Sequence, residues 1–428
     1  MHSNPLPPRL GPRPLPLHLA AASLAWTSSL VALPLLKNGS LGLRPELEVA
    51  ARALAAELAA ADPEALAARV ADEARRRFAA FLEAIKTYRR HPYRRRASAV
   101  PVLWQEGTTR LLDFRLGDRG APVLVVPSLI NRCYILDLVE ERSFMRFLAR
   151  AGFRPFLVDW DRPEEAERAF SLSDYILGRL AGALDAVIAA CGAKAILLGY
   201  CMGGDLALGL ADRRAGDLTG LALLATPWDF HAGRAEQARL LAAMLPGLEP
   251  LLAGLGELPV DVIQVLFAAL DPSLALRKFL GFAALEPGSD RARHFVALED
   301  WINDGVPLAA RVARECLGGW YGENSTAHGA WQLSGRAVLP ERLRIPSVAV
   351  IPDEDRIVPP ASAQALAKAL PCCETLRAPT GHIGMMSGGR AESSVWRPLA
   401  AWIESRSVSC ATLGPSLKSA RKAKRRRS

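Results

Sequence analysis

A cysteine flanked by glycines at the end of an apolar run is the residue of this chain best suited to covalent chemistry. Ala195-Ile-Leu-Leu-Gly199-Tyr200-Cys201-Met202-Gly203-Gly204 reads as a strand and a sharp turn, and a helical pattern follows from Asp205 to Arg213. Such a nucleophile elbow needs small residues on both sides of the turn and projects its central side chain at a helix N-terminus. Cys201 stands where serine is usual. The partial positive charge of the helix end favours the thiolate, the form that attacks. A buried cysteine in an ordinary turn would not require strand, glycines and helix to coincide.

A nucleophile of this kind needs a base, an orienting acid and a site for a developing oxyanion. Among seven histidines, only His382 combines a late position with a matching context, Gly381-His382-Ile383-Gly384, after the last strand pattern. Three histidines precede the elbow, and His231, His294 and His328 fall in a segment expected to be a cap. The acid should follow the penultimate strand, where Asp353, Glu354 and Asp355 compete. Asp355 is favoured, in the order nucleophile, acid, histidine, with the role of orienting the imidazole and stabilising the imidazolium. Asp353 and Glu354 suit a solvent-facing turn. The oxyanion donors expected are the amide of Met202 and that of Ile130, with Leu129 the near alternative, in the loop Pro127-Ser-Leu-Ile-Asn-Arg132.

Positioning these residues calls for a sheet. Short apolar runs at 108–114, 123–126, 154–158, 195–198, 219–224, 347–351 and 374–377 alternate with helical or Gly/Pro-bearing stretches. Apart from a leading antiparallel candidate around Leu111, this predicts an α/β domain, a mostly parallel sheet with helices on both faces. About 120 residues between Leu224 and Ser347 carry helical patterns at 235–245, 260–270 and 294–301, too long for a loop and suited to a helical cap. The expected organisation is an N-terminal helical region over 1–100, a catalytic domain over 101–410 with its cap at about 226–340, and a basic disordered tail at 411–428. In the first region, Pro45 opens one helix, and Asp62-Pro63 supplies an N-cap and first-turn proline for another reaching about Tyr88. Residues 14–34 hold no acid, Lys or Arg. They are read as an amphipathic segment, ended by Pro34, that packs on the body or on an apolar surface outside it; a signal peptide and a full membrane span are disfavoured.

Composition removes other functions. Of 428 residues 23% are charged, and the net charge of +9 loses seven cations, leaving +2, when the last eleven residues are set aside. A basic tail on a nearly neutral body argues against a nucleic-acid-binding domain. Seven scattered cysteines form no paired framework and no zinc spacing, which points to a reducing, cytoplasmic setting without structural metal. Neither a dinucleotide-binding Gly-x-Gly-x-x-Gly at the elbow nor a phosphate-binding loop elsewhere is present.

Taken together, several segments resemble the poly(3-hydroxyalkanoate) synthase family. They are Pro127-Ser-Leu-Ile-Asn-Arg-Cys-Tyr-Ile-Leu-Asp137, Val158-Asp-Trp160, the Gly-x-Cys-x-Gly-Gly of 199–204, Asp355-x-Ile-Val-Pro-Pro360 and Gly381-His-Ile-Gly384. Arg356 stands where that family commonly has His, and Asp205 where Thr is frequent. The resemblance implies an α/β-hydrolase fold and an acyltransferase that polymerises 3-hydroxyacyl-CoA. Cys201 would carry the chain as a thioester, His382 would act as base, and Asp355 would assist it or help activate the substrate hydroxyl. No cofactor is implied, the CoA thioester being substrate. The implied partners are the growing polyester, a second copy or a second synthase subunit, and a polymer granule surface. The same residues would serve a thioesterase, esterase or polyester depolymerase. A non-catalytic granule-associated protein is the second alternative.

Overall fold

The computed structural model describes residues 8–95 and 99–411, with side chains up to Arg406. The basic tail from 412 onward, and His2, lie outside the described residues. The chain divides into two compact units, one made of 1–94 with 264–303, the other of 95–263 with 304–428. The middle of the insertion expected as a cap thus groups with the N-terminal helices.

The second unit is built on eight strands: β1 Val102–Glu106, β2 Thr109–Asp113, β3 Pro122–Val126, β4 Arg154–Asp159, β5 Ala195–Tyr200, β6 Leu218–Leu224, β7 Ser347–Pro352 and β8 Cys373–Ala378. They lie in the order β1-β2-β4-β3-β5-β6-β7-β8. From β4 to β8 every pairing is parallel, whereas β2 is antiparallel to β1 and β4. This is the mostly parallel α/β sheet that the apolar runs predict. Strands β3, β4, β5 and β7 are buried along their whole length, as parallel strands covered on both faces must be. One strand of this sheet escaped the sequence reading. β1 is a largely exposed edge strand ending in Gln105-Glu106, joined to β2 by a tight turn in which Gly107 has φ +56°, and its polar half carries no apolar run.

The register brings the site loops together. Tyr200 pairs with Leu224, Leu224 with Val350, and Pro352 with Ala378, so β5, β7 and β8 end at one edge of the sheet. Within this unit the insertion after β6 supplies helices Ala235–Ala243, Leu245–Leu255 and Ala310–Arg314.

In the first unit, α1 Leu15–Lys37, α2 Pro45–Ala59 and α3 Pro63–Arg90 are followed, much later in the chain, by helices Leu274–Ala283 and Asp290–Asn303. Asp62 caps α3 as expected, its carboxylate accepting from the Ala65 amide at 2.7 Å. Phe81, Tyr88, Phe279 and Phe282 form the core, with Ala22 and partly buried Leu15, Leu19 and Trp26 of α1 packed on it. Two expectations for this segment are corrected. Pro34 does not end the helix, which continues through it to Lys37. Nor is the helix amphipathic, because the side turned away from the core is also apolar: Leu24, Val31 and Leu35 are exposed.

Candidate active site

Cys201 sits between β5 and the helix Met202–Arg214 with φ +55° and ψ −132°. A non-glycine residue held there costs about 1–3 kcal/mol and persists only when its surroundings enforce it. Three contacts do so. The Cys201 amide donates to Leu224 O at 2.8 Å, its carbonyl accepts from the Gly204 amide at 2.8 Å, and β5 is locked between β3 and β6. The flanking glycines are needed for close approach. A Cβ on Gly203 would stand 2.1 Å from Val126 O, and one on Gly199 would stand 2.4 Å from Gly203 O. The turn therefore presses its own backbone against the end of β3.

His382, buried in the loop after β8, faces Asp355 in the loop after β7. Its Nδ1 and the Asp355 Oδ2 are 2.7 Å apart. The other carboxylate oxygen accepts from the amides of Ile357 at 2.8 Å and Val358 at 2.9 Å, so the loop backbone fixes the acid. With Nδ1 engaged, Nε2 is left for Cys201, whose sulfur also interacts with the ring as a hydrogen-bond partner. Burial opposes charge on this imidazole, but the Cys201 sulfur and the Asp355 carboxylate prevail and raise its pKa to about 10. Tyr200 supports the loop from beneath, donating its hydroxyl to the His382 carbonyl at 3.1 Å.

The competing carboxylates have other partners. Asp353 pairs with Arg377 across exposed surface, and Glu354 lies 4.0 Å from Arg390. Of the other histidines, His18, His91, His231 and His328 each contact a backbone carbonyl at 2.9–3.1 Å. Met202 opens the helix directly after Cys201, where the first-turn amides have no partner within the helix. The Ile130 amide lies 3.4 Å from Ser128 Oγ and its carbonyl accepts from Val306, while Leu129 is buried in the same loop. Trp160 anchors this loop by donating to Pro127 O at 3.0 Å.

Two features escaped the sequence reading. Asp205, in the first turn after the nucleophile, is fully buried with neither carboxylate oxygen hydrogen-bonded. Burial, reinforced by the nearby Cys201, pushes its pKa well above the ordinary carboxylate value and so favours the neutral acid. Its departure from the residue common at that position was the available signal. The second feature is an aromatic wall from the insertion: Phe230 stacks on Trp320 at 5.5 Å and meets Tyr321 at 4.9 Å, and Trp331 packs on Trp320 and Trp228. Burial raises the Tyr321 pKa, with Cys201, Cys316 and Asp205 adding to it. Ala349, Ile351, Val358, Ala363 and Ala367 form an apolar cluster against which Cys201 packs. A sulfur in apolar surroundings beside an imidazole and a carboxylate has the groups that acyl transfer to a thiol requires.

Residues 121–389 match the family model described as alpha/beta hydrolase fold. The chain is 31% identical to the poly(3-hydroxyalkanoate) polymerase subunit PhaC of Allochromatium vinosum, over 67% of this chain and 81% of that protein. It is 30% identical to the subunit of the same name from Synechocystis sp., over 67% and 78% respectively. With that of Haloferax mediterranei the identity is 28%, over 72% of this chain and 64% of the other. Among solved structures, an esterase from Thermogutta terrifontis aligns with 73% of this chain and 100% of its own, at 18% identity and a TM-score of 0.43.

Proposed function

We propose that this chain, which belongs to the poly(3-hydroxyalkanoate) polymerase family, is an acyltransferase that joins 3-hydroxyacyl units from their CoA thioesters into a polyester. The observation that carries the reading is that a cysteine, rather than a serine, occupies the elbow beside His382 and Asp355. A thiolate exchanging with a CoA thioester makes another thioester at nearly equal free energy, so the acyl group stays activated for a hydroxyl acceptor.

In this scheme the Cys201 sulfur attacks the thioester carbonyl, and the amides of Met202 and Ile130 receive the oxyanion. CoA leaves as the thiol, taking the proton from the His382 imidazolium. His382, oriented by Asp355, then accepts the proton of a 3-hydroxyl group as that oxygen attacks an acyl-Cys201 carbonyl. An ester forms and the Cys201 thiolate is released; the chain, one unit longer and now the thioester of the incoming 3-hydroxyacyl-CoA, is taken back by Cys201 as CoA leaves with the proton from His382. The aromatic wall and the apolar cluster around the sulfur favour the hydroxyl acceptor over water.

Six free cysteines among the described residues agree with a reducing compartment, so the cytoplasm is the proposed location. The matched relatives are named as subunits, which supports an assembly of more than one chain. An insoluble polyester would collect around it as a granule.

Intact-protein mass spectrometry after exposure to 3-hydroxybutyryl-CoA tests the reaction. The expected result is a ladder of 3-hydroxybutyryl increments that disappears in Cys201→Ala, with CoA released and polymer formed. Release of CoA with only monomeric acid would make the protein a thioesterase instead.

A further inference from the structure

The two sides of α1 differ in what they touch but not in polarity. At about 100° per residue, Leu15, Leu19, Ala22 and Trp26 fall on one narrow stripe, the one packed on the core of the first unit. On the same wheel, Leu24, Val31 and Leu35 fall within about 30° of the opposite direction, at 68%, 72% and 41% exposure. With Leu17, Ala21 and Ser28 they make a continuous seam with alternating steps of four and three residues.

Its flanks indicate what the seam meets. A seam that pairs with a second helix in water is bordered by charged residues that keep it soluble and set its register. No Asp, Glu, Lys or Arg occurs on any side of α1 from Pro14 to Leu36, and cations stand only at its two ends, Arg13 and Lys37. The neighbouring α2 shows the usual alternative: its exposed Leu47, Val49 and Leu54 are interspersed with Glu46, Glu48, Arg52 and Glu57. A helix uncharged between its ends and apolar apart from His18, Ser23, Thr27, Ser28 and Ser29, 23 residues and about 35 Å long, with Ala22 its one fully buried residue, suits hydrocarbon better than water. We propose that the exposed face of α1 docks on the acyl-chain layer of a lipid membrane while its inner stripe stays on the core of the first unit. Apolar area supplies the attraction.

The test is flotation of the full-length protein with vesicles of phosphatidylcholine and phosphatidylglycerol. Wild type is expected to rise with the vesicles. Leu24→Glu combined with Val31→Glu, both on the exposed face, is expected to lose at least tenfold of the bound fraction at an unchanged melting temperature. Val49→Glu on α2 should float like wild type. The proposal is overturned if wild type stays with the buffer, or if the double variant floats equally well. It is also overturned if wild type binds poly(3-hydroxybutyrate) particles but not vesicles. A dimer that the double variant dissociates, with neither form floating, would make the face a chain-to-chain contact instead.

Discussion

Asp355→Asn separates the acid's chemical role from its structural one. In the native loop Oδ1 accepts two backbone amides and Oδ2 meets His382 Nδ1 at 2.7 Å. Asparagine can keep both amide bonds with its carbonyl oxygen, which places its NH2 against Nδ1. Two donors cannot face each other, so the ring must carry its proton on Nε2, where it can no longer take one from Cys201. The lost charge-assisted hydrogen bond to the imidazolium is worth about 1.5–3 kcal/mol, roughly 10- to 150-fold in rate. The wrong tautomer extends the loss toward about 10⁴-fold, as in serine triads. Asp355→Ala would mislead, since it also strands two buried amides at about 1–3 kcal/mol each and so lowers stability. The assay is CoA release from 3-hydroxybutyryl-CoA, with thermal melting and the pH profile of iodoacetamide alkylation at Cys201. Asp355→Asn should melt within a few degrees of wild type, lose at least about 10²-fold in kcat and show an altered alkylation profile. Activity within threefold of wild type and an unchanged profile would refute the reasoning.

Other consequences can be measured separately. Gly203→Ala forces a Cβ to within 2.1 Å of Val126 O, a backbone atom of the central sheet, so the elbow must shift; a displacement near 1 Å predicts about 10²-fold loss of acylation, measured by mass spectrometry. Gly254→Ala, in a helix with nothing near its Cβ, should instead add about 0.5–1 kcal/mol to stability in a denaturant titration. Because Cys201 and Asp355 raise the His382 pKa to about 10 against burial, Cys201→Ala should move the ring's titration, followed by NMR, clearly downward. His382 protonation contributes stability that is complete below about pH 6.5 and is lost as pH rises through about 10, and Cys201→Ala should flatten that dependence. Asp205 behaves in the opposite sense to a paired carboxylate: its folded pKa is raised, so the unfolded chain ionises first and the residue costs stability above about pH 4, up to about 1.4 kcal/mol per pH unit. The melting temperature of Asp205→Asn should therefore gain on wild type from pH 4 to pH 8; a constant gap would show that Asp205 is ionised.

How much of this was legible in the sequence depended on whether the information was local. Cys201 could be read because an elbow needs its strand, glycines and helix contiguous, and the buried parallel strands stood out because each is an apolar run bounded by turns. The polar edge strand Val102–Glu106 had no such run, and its place rests on hydrogen bonds to a neighbour. For His382 and Asp355, chain order proposed the pair, but their 2.7 Å contact comes from the register that ends β5, β7 and β8 at one edge. The choice of Asp355 over Asp353 and Glu354 likewise depends on which carboxylate the loop backbone holds inward and which find arginines on the surface. Composition established that residues 14–34 hold no acid, Lys or Arg, whereas only packing shows which side of that helix the core takes. Covalent spacing and local conformation are written along the chain; partners brought from hundreds of residues away are selected by burial and close packing, which exist only after folding.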